Sequence, residues 1–91
     1  LRLSEQEIVN AICLHMAERK QILPTQVQVE MLWDEEQGFA AEVTAQGQMQ
    51  EISAASILEA IERYLLKEHQ MRVFRSQIRL DLQDEIIADI E

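Results

Sequence analysis

Apolar residues change their spacing at Pro24. Before it, Ile8, Val9, Ile12, Cys13 and Met16 fall on one stripe of a helix; after it, Val27, Val29, Met31 and Trp33 alternate with Gln28, Glu30 and Leu32. The first spacing buries one side of a helix and the second one side of a strand, and neither serves the other geometry. A chain carrying both must pack helix against sheet. Proline enforces the change, because it lacks an amide hydrogen and clashes with the preceding helical turn.

The remaining elements follow from the same reading. Ser4, three residues ahead of Glu7, forms a capping box, so a helix is expected over about Glu5 to Lys20, with Arg19 and Lys20 suiting the dipole of its last turn. Beyond the Gln26–Trp33 strand, Phe39, Ala41, Val43 and Ala45 alternate with Glu42 and Thr44, which makes a hairpin with Gly38 in its loop. Gln46-Gly47 turns into a short strand, Gln48 to Ile52. Ser53 or Ser56 caps a second helix whose stripe is Ala54, Ile57, Leu58, Ile61, Tyr64 and Leu65. After a connection over residues 70–76, Ile78, Leu80 and Leu82 alternate with Arg79 and Asp81, and Asp84-Glu85 turns into a last strand carrying Ile86, Ala88 and Ile90.

The order is αβββαββ, an α+β two-layer sandwich with both helices packed on one face of a mostly antiparallel sheet. The second helix is expected to bring one of the last two strands to the open edge of the Gln26–Trp33 strand. At 91 residues the chain reads as a single α+β domain over 1–91, and no internal repeat or low-complexity segment is evident.

Seventeen acids against eight bases give a formal charge of −9, which repels phosphate backbones and anionic lipids, so neither nucleic acid nor membrane is expected as a partner. No Lys or Arg occurs from Gln21 to Glu62; the bases gather in Arg63, Lys67, Arg72, Arg75 and Arg79. The apolar runs fall far short of the ~20 residues of a membrane span. A single cysteine, Cys13, has no intramolecular disulfide partner, which fits a reducing, cytoplasmic setting.

No set of residues reads as catalytic, cofactor-binding or metal-ligating. Asp34, Glu36 and Gly38 imitate the start of a calcium loop, yet counting from Asp34 its sixth position is Phe39 and its twelfth Ala45, where glycine and a bidentate glutamate are needed. His15 and His69 lack zinc-ligand spacing, and His15 points some 200° away from Cys13 on a helix. Helix, three strands and helix in this order resemble a double-stranded RNA-binding domain, but SAASILEAIE offers no lysine to hold a phosphate.

Parity of the hairpin gives the sharper expectation. If Trp33 pairs with Phe39, then Glu30 faces Glu42, and a two-residue turn at Gln46-Gly47 sets Glu42 beside Glu51. Three carboxylates would then cross the sheet in one row, and Leu32, Met49 and Ile87 would project from the same outer face as apolar residues suited to a dimer contact. Glu30, Leu32, Glu42, Glu51, Met49 and Ile87 are therefore the candidate interaction face.

The strings LSEQEIVNAICLH, WDEEQGFAAEV and SILEAIERYL followed by IRLDL resemble the YxcD-like family of small acidic proteins from Bacillus-type bacteria. That resemblance implies a cytosolic bacterial protein from a family with no established activity, cofactor or catalytic residue. The expected function is a non-enzymatic interaction or regulatory module, its acidic sheet meeting a basic protein partner or its outer face forming a homodimer. Two other readings stand beside it: a small-molecule or metal-binding protein with a pocket between the helices and the sheet, and a nucleic-acid mimic whose carboxylates imitate phosphates.

Overall fold

The computed structural model describes residues 1–91, in the order β1 (Arg2–Leu3), α1 (Glu5–Lys20), β2 (Val27–Asp34), β3 (Gly38–Ala45), β4 (Gln48–Ser53), α2 (Ala54–His69), β5 (Ile78–Leu82) and β6 (Ile86–Ile90). Short 3₁₀ turns, Pro24–Gln26 and Arg75–Gln77, lead into β2 and β5. The capping box at α1 is complete: Ser4 Oγ accepts from the Glu7 N–H and Glu7 Oε1 from the Ser4 N–H, both at 3.2 Å. The α+β order αβββαββ stands, with the two-residue β1 added in front of it. Two residues carry no alternation that a sequence reading can use.

All pairing is antiparallel, and the strands form two three-stranded sheets, β2-β3-β4 and β1-β6-β5, instead of one. The expectation that β5 or β6 would reach the open edge of β2 is overturned, because β6 pairs on one side with β5 and on the other with β1, through Arg2↔Asp89 and Leu3↔Ala88. One core joins both sheets to both helices: Ile8, Ile12 and Met16 of α1, Ile57, Ile61 and Leu65 of α2, Val27, Val43 and Ile52 of the first sheet, and Leu3, Ile78, Ile86 and Ile90 of the second.

The two sheets expose an internal repeat that the residue pattern does not advertise. Each half runs strand, serine at the N-cap position, 16-residue helix, left-handed glutamine, 3₁₀ turn and hairpin, although Ser53, unlike Ser4, makes no side-chain cap bond. Buried Ile8, Ala11, Ile12 and Met16 match Ile57, Ala60, Ile61 and Leu65 at one constant offset. Gln21 and Gln70 both end their helices in the αL conformation, and Gln26 and Gln77 close the two turns with side-chain bonds of 2.9 Å to Leu23 N and Phe74 N. The halves exchange strands: β1 completes the second hairpin as β4 completes the first. Glu18 and Lys67, at equivalent positions, bond to each other, as happens where a two-fold axis runs between them.

Candidate functional site

The acid row is present in the register that parity requires. Glu30 pairs with Glu42 and Glu42 with Glu51, while Trp33↔Phe39, Met31↔Ala41 and Val29↔Val43 occupy the opposite face. Glu30 and Glu51 are exposed and Glu42, on the central strand, is partly buried. Gln46 and Gly47, at φ 53° and 76°, form the tight turn that fixes this alignment.

Two rows flank the carboxylates. Leu32, Ala40 and Ser53 lie on one side, and Gln28, Thr44 and Met49 on the other. Leu32 is partly covered, and Met49 stands 67% exposed. Ile87 does not join them. It belongs to β6 of the second sheet and is only 5% exposed. On its face Arg2 bonds to Asp89 at 2.8 Å and reaches Gln83 at 3.2 Å. Leu32, Met49 and Ile87 are thus not one apolar patch.

The second sheet carries an outer-face row of its own. Arg79, Asp89 and Arg2 stand in register across its three strands. That row alternates in sign, and the Arg2 guanidinium holds the Asp89 carboxyl below its ordinary range. The frame accommodates a neutralised row in one sheet and an unneutralised one in the other.

Asp34, at the tip of the first hairpin, turns its carboxylate inward. Its Oδ1 accepts the Glu36 N–H at 2.8 Å, an Asx turn, and Gly38 takes φ 80° to close the loop. No three His, Cys, Asp or Glu side chains stand together as metal ligands. Cys13 is partly buried and directs its thiol at the Val27 carbonyl, 3.6 Å away; burial raises its pKa and keeps it from the reactive thiolate.

Sequence reasoning set His15 aside for want of a ligand spacing and missed what surrounds it. It is 7% exposed and faces a groove of about 300 Å3 between α1 and α2. Ala11, His15 and Glu18 line one wall, and their repeat partners Ala60, Tyr64 and Lys67 the other. Burial lowers the His15 pKa by disfavouring the charged ring, with Arg19 and Arg63 adding to the effect and Glu59 and Glu18 opposing it. His69 stacks edge-on against Tyr64, ring centroids 5.4 Å apart. The groove lies between helices, not between helices and sheet, and only the fold brings its walls together.

Residues 1–85 match the family described as "protein of unknown function (DUF2653)". The chain belongs to this family. No curated protein and no solved structure matches it. The DUF2653 assignment carries no activity with it, so the site has to be read from its own geometry. No helix is long and apolar enough to cross a membrane.

Proposed function

We propose that this DUF2653 protein is a non-enzymatic interaction module whose acidic sheet face docks onto a basic surface of another protein. One observation carries the reading: Glu30, Glu42 and Glu51 stand side by side with no cation among them, whereas the second sheet's row of Arg79, Asp89 and Arg2 alternates in sign. Neighbouring like charges on a sheet cost a few tenths to about 1 kcal/mol each, and a cationic partner removes that cost while steering its own approach. A second copy is the poorer occupant, because two such faces brought together double the repulsion. Leu32 and Met49 would supply apolar contact on either side of the row. The setting we propose is the bacterial cytoplasm, supported by the resemblance to the YxcD-like proteins and by the lone cysteine.

The test reverses charge in two places. Glu30→Lys with Glu42→Lys should abolish capture of basic partners from a bacterial lysate, whereas Glu35→Lys with Glu36→Lys at the hairpin tip, an equal change in net charge, should leave capture intact. An identical partner list from both variants would overturn the reading.

A further inference from the structure

We propose that the groove between α1 and α2 binds a small carboxylic acid with an apolar body, its carboxylate on Arg63 and its body against Leu14, Ile22 and Pro24. This inference is independent of the acidic face, which lies on the first sheet and shares no residue with the groove.

The groove lies between equivalent residues of the two helices. Four equivalent pairs line it: Ala11 with Ala60, Leu14 with Arg63, His15 with Tyr64, and Glu18 with Lys67. The alanines leave the floor shallow and apolar on both sides. The other three pairs differ in chemistry, so a symmetric frame yields a polarised site with a leucine where its counterpart has a guanidinium. A volume of about 300 Å3 stands at the lower end of small-molecule sites, which are largely apolar with a few placed polar groups.

Charge decides the class of ligand. Lys67 is occupied by Glu18, while Arg63 has no ion-pair partner. One free guanidinium suits a monoanion, and its planar fork matches a carboxylate better than a point charge does. Neither His15 nor Tyr64 makes a side-chain hydrogen bond within the protein, so both are available to a ligand's polar atoms. Glu68, beside Tyr64, opposes a second negative group at the other end and so fixes the ligand's direction.

Phenylacetate serves as probe, titrated into the isotope-labelled 91-residue protein and followed by amide and side-chain resonances. Saturable shifts at Leu14, His15 and Tyr64, with a Kd on the order of 1 mM or tighter, are expected. Phenylacetamide and phenethylamine, with the same body but a neutral or cationic head, should bind at least about tenfold more weakly. Arg63→Gln should lose binding by a similar factor, and Arg75→Gln, which removes an equal charge at the Glu62 pair outside the groove, should not. Wild-type affinity in Arg63→Gln, equal binding of the three heads, or no saturable shift in the groove would overturn the proposal. So would shifts at these residues that follow protein concentration without ligand, since a second copy would then be the occupant.

Discussion

Gln21, Gln46 and Gln70 hold φ values of 57°, 53° and 49°, a left-handed backbone in which any Cβ meets the following carbonyl. Two of them end helices, where glycine is the usual choice, and the third opens a hairpin turn that favours asparagine or glycine. Gln21→Gly, Gln70→Gly and Gln46→Asn should each stabilise the fold by about 0.5–1 kcal/mol, read as a higher urea midpoint with unchanged slope. The turn at Gln46-Gly47 is legible in the sequence because glycine marks it. The helix ends are not, because glutamine gives no sign of a left-handed cap. His15 makes a second prediction at this scale. Burial holds its folded-state pKa below the ordinary 6.5, so the unfolded chain binds the proton more readily. The stability this gives is whole above about pH 6.5 and is lost as pH falls from there toward the folded value. His15→Gln should flatten the fall in urea midpoint between neutral and mildly acidic pH, and an unchanged slope would show that His15 is not its source.

At the scale of elements, the first sheet is the most legible part of the molecule. Alternation over β2 and β3, a loop anchored by Gly38 and a two-residue turn fix the register, so three carboxylates could be aligned from numbering alone. Alternation did not suffice at Ile87, since it assigns a face but not which sheet the strand joins or how deeply a residue lies, and β6 pairs with β1 from the far end of the chain instead of joining the first sheet. The register has an energetic consequence. Glu42→Arg converts the row to alternating sign, as in the second sheet, and should stabilise the protein by about 0.5–1 kcal/mol at low salt, less at high salt. Thermal unfolding at two ionic strengths checks this, and a loss of stability at low salt would mean that the carboxylates do not interact. By the reading proposed above, the variant should gain stability while losing its basic partner.

Across the whole molecule, the repeat explains what the sequence concealed. The halves share single, scattered identities over their caps and helices, Ser4 with Ser53, Ile8 with Ile57, Ala11 with Ala60, Ile12 with Ile61 and Gln21 with Gln70, but β5 and β6 span five residues each where β2 and β3 span eight. Isolated matches of common residues do not read as a duplication, and a two-residue strand at Arg2–Leu3 hides the element that makes the halves equivalent. The architecture is reciprocal, each half supplying the third strand of the other's sheet. A peptide spanning 1–46 therefore lacks the strand that completes its hairpin, as does one spanning 47–91. Each alone should show little helix by circular dichroism, and an equimolar mixture should recover most of the intact chain's signal. Full helicity in either fragment by itself would show that the halves fold independently. The candidate groove is a product of the same reciprocity, because it exists only where the two helices meet.

The row of carboxylates also ends on two open strand edges, Glu30 on β2 and Glu51 on β4. An unpaired edge invites another chain to add its own strand, the first step toward fibrous aggregation. Any copy extending this sheet in register would place its own glutamate beside one already there, and the penalty would grow with every strand joined. The arrangement that weakens the isolated sheet is thus a safeguard for the crowded one. Neutralising Glu30 and Glu51 would therefore make a protein sturdier when dilute and far less soluble when concentrated.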